Sequence, residues 1–175
     1  KKIAVIGSGT MGNGIAHVSA LSGYSVFLVD LNNNLLNRAI DRISLNLARQ
    51  VDKDIIQEKD KLRALDNIIC TPNMIDIHDV DLIIGLQGDV PNIKPDDILA
   101  LEKLMRSNNC DIGTLASDIK NSIFSKLDSI CNSNTIFASN TSSISILEMA
   151  KKTSRADKFI GMHFMNPVPI MKLVE

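Results

Sequence analysis

The sequence predicts an α/β fold, a doubly wound parallel sheet, and three observations carry that expectation. Short apolar runs alternate with stretches of helical periodicity along the chain, as in a sheet whose strands are joined by crossover helices. The runs are apolar at consecutive positions rather than at every second one, which suits strands covered on both faces. The first run, KIAVI, leads directly into glycine-spaced residues and then into a helical pattern.

Ile3, Val5 and Ile6 make the first strand, and Gly7, Gly9 and Gly12 then give G-x-G-x-x-G where a helix begins. Gly7 permits a tight turn, Gly9 lets the backbone approach a pyrophosphate, and Gly12 lets the helix pack closely on the strand. The free N–H groups of the first helical turn, around Thr10, Met11, Gly12 and Asn13, face the anion. A helix over residues 11–21 ends at Gly23, and a second strand over 26–29 closes on Asp30. An acidic group there takes both ribose hydroxyls of an adenosine, which favours NAD over its 2′-phosphorylated relative. The bland alternative is an acid that merely caps a strand.

Further along, Leu35, Leu36, Ala39, Ile40, Ile43 and Leu47 recur at helical spacing over 32–50, followed by a charged helix over about 54–65. Strands are expected over 68–70, 80–86, 135–138 and 159–163. Helices are expected over 119–131, with Ile123, Phe124, Leu127 and Ile130 inward, and over 144–151. No internal repeat or low-complexity tract is present.

With 175 residues the chain buries one good core. A net charge of -1 and a charged fraction of 22% carry no nucleic-acid footprint. Cys70, Cys110 and Cys131 are dispersed, without C-x-x-C spacing, which fits a reducing, cytoplasmic setting with the thiols as small fillers. No apolar run approaches the roughly 20 residues that span a bilayer, and the start opens into a strand rather than a targeting segment. His17 and His78 lack metal-ligand spacing and are expected to be structural; no metal is expected. Met165 and Met171 are expected to line the core or a pocket.

The opening IAVIGSGTMGNGIA, the segment Ser139-Asn140-Thr141-Ser142-Ser143 after a strand, and the closing GMHFMNPVPIMKLVE together resemble the NAD-binding domain of the 3-hydroxyacyl-CoA dehydrogenases. The likeness covers about 1–84 and 119–175 and implies a Rossmann fold, NAD as cofactor and an acyl-CoA substrate. Oxidising a 3-hydroxy thioester sends a hydride to the nicotinamide and a proton to a base. The resemblance makes His163 that base, with Glu175, 12 residues later, on its other ring nitrogen to fix the tautomer. It has Ser142 hydrogen-bond the reacting oxygen, and Asn140, Asn166 and Lys120 lie on the cofactor side. Lys53 matches a family lysine near the acyl-CoA phosphates. Seen alone, His163 could be a structural histidine, Lys53 a solvated charge, and Ser142 and Ser143 an ordinary helix cap.

The family strand should continue from Ile84 into Glu-Ala and run almost at once into the helix bearing Lys120. Position 85 is glycine instead, and some thirty foreign residues follow. This stretch, about 84–119, resembles part of the CMP-KDO synthetases (3-deoxy-manno-octulosonate cytidylyltransferases) through Leu86-Gln87-Gly88-Asp89 and Pro91. In that family the aspartate of the motif, here Asp89, helps hold magnesium. The expectation is an inserted βα unit over about 85–118, with a helix to about 107 and an added strand over 111–116.

The reading is therefore one NAD-binding domain over 1–175, belonging to an enzyme that interconverts 3-hydroxyacyl-CoA and 3-oxoacyl-CoA. The family continues past the position matching Glu175 into a helical domain that dimerises and completes the acyl pocket. Residues 1–175 are accordingly expected to bind NAD without efficient turnover, and to form a homodimer only with that domain. The alternatives are a non-catalytic nucleotide-binding or structural module disabled by the insertion, and a cytidylyltransferase-like site at Asp89.

Overall fold

The computed structural model describes residues 1–85, 112–141, 145–171 and 173–175, with the backbone alone for 112–120. Six strands form one parallel sheet: β1 (Lys2–Ile6), β2 (Ser25–Val29), β3 (Ile68–Thr71), β4 (Leu82–Gly85), β5 (Ile136–Ser139) and β6 (Phe159–Gly161). Their order is β3-β2-β1-β4-β5-β6, so the chain moves outward from β1 in one direction and then returns to fill the other side. The reversal lies between β1 and β4, and it opens a crevice at the carboxyl ends of the strands. The last rung across the sheet reads Thr71, Val29, Ile6, Gly85, Ser139 and Gly161.

Helices α1 (Thr10–Leu21), α2 (Asn33–Asp52) and α3 (Glu58–Asp66) connect the first three strands. Their apolar faces meet one side of the sheet in a core of Ile15, Ala16, Leu36, Ile43 and Leu47 over Val5, Val26 and Leu28. Asn32 caps α2 by accepting the Leu35 N–H at 3.1 Å. The charged helix expected from about residue 54 begins at Glu58, because Asp54 turns the backbone to φ 55. Gln57 and Asp60 then close a capping box.

On the other face, α4 (Ile112–Ile130) and α5 (Ile146–Ala150) cover Ala4, Ile6, Ile83 and Phe137. Phe124, Phe137 and Phe159 form an aromatic cluster with ring centroids 4.6–6.1 Å apart, Phe159 edge-on to the other two and Phe124 tilted on Phe137. Arg155, 6% exposed, anchors the end of α4: its guanidinium pairs with Asp128 at 2.6 Å and donates to the carbonyls of Asp128, Cys131 and Asn132. It also lies over the Phe137 ring. Burial pushes the Asp128 carboxyl up, but hydrogen bonds from Ser154 and Arg155 outweigh it and hold the group below the usual aspartate value.

One expectation is overturned. Residues 112–116 are helical, not an added strand, because α4 runs unbroken from Ile112 to Ile130. Ile-Gly-Thr-Leu-Ala is short enough to suit either state by apolar content, and continuity with the amphipathic stretch behind it decides for helix. The strand expected over 80–86 is described only as Leu82–Gly85. Met171, expected to be inward, is 45% exposed. Cys131 is buried and Cys70 half-buried, both as free thiols. Among the described residues no helix is long and apolar enough to cross a membrane.

Candidate functional site

The amino end of the site is a backbone turn. Gly7 takes φ 100, a conformation that favours glycine, and its N–H bonds the Val29 carbonyl at 2.8 Å, which ties the turn to the end of β2. Gly9 caps α1 in extended conformation, and with no side chain it makes no side-chain cap. The N–H groups of Thr10, Met11 and Gly12 belong to the first turn, which the helix's own ladder leaves without intrahelical partners. A Cβ built on Gly9 would meet nothing within 4 Å, so the space above it is open to a ligand. Gly12 is buried against the sheet. A close approach in α1 is at Gly14, where a Cβ would fall 2.8 Å from Val168 Cβ.

Asp30 ends β2 beside this turn. Its Oδ2 accepts from the Ser8 N–H at 2.7 Å and the Ser8 hydroxyl at 2.6 Å, and its Oδ1 accepts from the Leu31 N–H at 2.7 Å. A carboxylate offers about four acceptor sites, so roughly one stays open on Oδ1. Ser8 holds this carboxylate in place, a contact the motif does not announce because it leaves that position unspecified.

The carboxyl end is a short strap of chain after β6. His163 N–H donates to the Glu175 carbonyl at 2.7 Å and Glu175 N–H to the His163 carbonyl at 3.0 Å, beside an antiparallel bridge between Phe164 and Val174. These bonds bring His163 Nδ1 to 3.8 Å from Glu175 Oε2, with the side chains 41% and 63% exposed. Asn140 steadies the strap: its Oδ1 accepts the Phe164 N–H at 2.8 Å, and its own N–H reaches the Gly85 carbonyl at 3.3 Å. Asn166 is exposed on the same strap.

Other expected residues lie elsewhere. Lys53 is the exposed C-cap of α2, and the 20-residue helix carries it about 30 Å from Asn32. Lys120 belongs to α4, four residues before Phe124. Ser142, Ser143 and Asp89 lie outside the described residues. The described cap of α5 is Ser145, whose hydroxyl accepts from Glu148 N–H at 3.4 Å. His17 is fully buried in α1, with Nε2 3.1 Å from Gln50 Oε1, and burial lowers its pKa. His78 is exposed, with Nδ1 2.9 Å from the Ile75 carbonyl. Among the described residues no group of three His, Cys, Asp or Glu side chains could hold a metal ion.

A six-stranded parallel sheet in this order, with a bare glycine turn after β1 and a carboxylate closing β2, defines a dinucleotide-binding domain. Open space at Gly9 and a spare acceptor site on Asp30 fit a pyrophosphate and an adenosine ribose. The chain belongs to the family described as 3-hydroxyacyl-CoA dehydrogenase, NAD binding domain, whose model matches residues 2–118 and 114–175. It is 41% identical over 175 residues to a 3-hydroxybutyryl-CoA dehydrogenase of Bradyrhizobium diazoefficiens, covering 100% of this chain and 51% of the relative. It is 36% identical over 184 residues to the human mitochondrial hydroxyacyl-coenzyme A dehydrogenase, covering 100% of this chain and 49% of that protein. The crystal structure of (S)-3-hydroxybutyryl-CoA dehydrogenase from Ralstonia eutropha superposes with a TM-score of 0.80 at 35% identity, over 99% of this chain and 52% of that one. The chain spans about half the length of the curated relatives it matches.

Proposed function

We propose that this domain serves an NAD-dependent dehydrogenase that interconverts 3-hydroxyacyl-CoA and 3-oxoacyl-CoA, with His163 as the general base. The observation that carries the reading is the His163–Glu175 pair, held by two reciprocal backbone hydrogen bonds on a strap just past β6, on the sheet edge where the glycine turn lies. NAD, when bound, supplies the hydride acceptor. Gly7, Gly9, Thr10, Met11 and Gly12 hold its diphosphate, and Asp30 its adenosine ribose. His163 takes the proton of the substrate hydroxyl as the hydride leaves. Glu175 orients the imidazole and stabilises its charged form.

By family resemblance Ser142 donates to the reacting oxygen, while Asn140, Asn166 and Lys120 line the cofactor side. Because Asn140 Oδ1 is occupied by Phe164 N–H, its part is first to hold the strap and then to offer its amide N–H groups. Lys53 is proposed for the anionic end of the acyl-CoA, and dimer formation for the helical domain of the family. The dispersed cysteines support a cytoplasmic setting. The whole of 1–175 is read as one domain with an insertion over about 85–118, a reading that rests on the departure of the sequence from the family pattern after Ile84.

The second reading concerns that insertion alone. The sequence Leu86-Gln87-Gly88-Asp89 favours descent of the segment from a cytidylyltransferase unit, with Asp89 as its magnesium carboxylate. Fluorescence titration separates the readings. NADH binding without response to CTP plus magnesium is expected, and CTP binding alone would reverse the order. In a chain extended by the family's helical domain, oxidation of 3-hydroxybutyryl-CoA that survives His163→Ala intact would remove the catalytic assignment.

A further inference from the structure

We propose that Gly85 and Phe124 form a seat that sets how closely α4 rides on the carboxyl edge of the sheet, making both of them positioning residues for the crevice wall beyond β4. The inference rests on the coenzyme reading above and extends it to residues outside the glycine turn, Asp30 and the strap.

Gly85 is the last residue of β4, in register with Ile6 on β1 and Ser139 on β5. A Cβ built there would lie 2.6 Å from Phe124 Cζ and 3.3 and 3.4 Å from its two Cε atoms. The tip of the ring therefore rests on the strand's backbone, in space that any side chain would fill. Neither partner can yield easily. Gly85 is paired with strands on both sides, and Phe124 is 2% exposed, with Phe159 4.6 Å and Phe137 5.6 Å from its ring. Phe137 is pinned in turn beneath Arg155.

The same rung repeats the device on β6, where a Cβ on Gly161 would fall 3.3 Å from Ile146 Cγ1 of α5. Between the two glycines stands Ser139, fully buried, with a hydroxyl that finds no hydrogen-bond partner among the described residues. Three small residues at the edge of β4, β5 and β6 thus let two helices close down at the crevice end.

Direction gives the seat its function. α4 leads into β5, parallel to β4, so it enters at the carboxyl edge and descends. Phe124 meets the last residue of β4, and the turn of α4 before it, which includes Lys120, continues about 6 Å past that contact. Residues of this turn border the part of the crevice away from Asp30. A side chain at position 85 displaces Phe124, and α4 with it, from that wall. The glutamate that the family resemblance leads one to expect at 85 is incompatible with Phe124 as it stands.

The test is a titration of NADH and of AMP on the wild type, Gly85→Ala, Phe124→Leu and the double variant. AMP reports only the Asp30 half. Gly85→Ala is expected to weaken NADH about tenfold and AMP by less than about twofold, and the double variant to recover to within about threefold of wild type. Unchanged NADH affinity in Gly85→Ala, an equal loss of NADH and AMP, or a folded double variant without recovery each overturns the seat. Should Gly85→Ala not fold, the double variant carries the test by the same standard. A wild type that binds no NADH overturns the coenzyme reading and the seat together, whereas wild-type binding with an indifferent Gly85→Ala overturns the seat alone.

Discussion

At the amino end of the site the proposed grip on the coenzyme falls to backbone, and at the carboxyl end the proposed proton transfer falls to side chains. The turn at Gly7 to Gly12 is locked to β2 by the Gly7 N–H and by Ser8 on Asp30, and its helix is sunk in the core. The strap from His163 to Glu175 is held by two backbone bonds and a single bridge, with the His163 side chain half-buried and that of Glu175 exposed. An anion needs only fixed N–H dipoles, which a buried turn supplies without motion. A base must meet substrate and exchange a proton, so it sits where it is reachable. Grip and chemistry are thereby separable, and each should fail without the other.

The largest expected effect tests that separation at the carboxyl end. In a chain extended by the family's helical domain, His163→Ala should lower turnover of a 3-hydroxyacyl-CoA about a thousandfold while NADH affinity stays within about twofold. Parallel loss of both quantities would break the distinction. At the amino end Gly9→Ala is the converse: a methyl there touches no atom of the described residues, so the melting temperature should hold while NADH affinity drops about thirtyfold. Asp30→Ala should weaken NADH about tenfold and also lower the melting temperature, because the Ser8 N–H and hydroxyl lose their acceptor. Calorimetry beside the titration separates the two losses.

The smallest effect is a pH dependence of stability at His17. Burial lowers its folded pKa beneath the ordinary 6.5, so below that pH the unfolded chain takes up the proton first and stability falls. The loss should begin near pH 6.5 and grow as the pH drops toward the lowered folded value, no more steeply than about 1.4 kcal/mol per pH unit. Melting temperatures from pH 8 to 5 should show a slope that His17→Gln flattens.

The amino end was legible because its signals are local. Three glycines, a strand before them and an acid 18 residues past Gly12 all lie within 30 positions, and each has one steric or electrostatic reason. The pairing of His163 with Glu175 came from family resemblance, since nothing in a spacing of 12 says that the chain will double back; the Phe164–Val174 bridge is what makes it do so. Long-range contacts stayed hidden. Gly14 gives no hint of Val168, nor Gly85 of Phe124, because both depend on the approach of segments distant in sequence. The short run at 112–116 was misread as a strand for the complementary reason: its apolar residues are compatible with either state, and the helix it joins had been started too late.

Gly14 has one more implication. Val168 of the strap presses on α1 at that glycine, two residues along from the last glycine of the turn, so a single rod carries the glycine turn at its tip and buttresses the strap that bears His163 on its flank. A side chain at Gly14 would therefore be felt in both places at once, at the glycine turn and in the strap that bears His163.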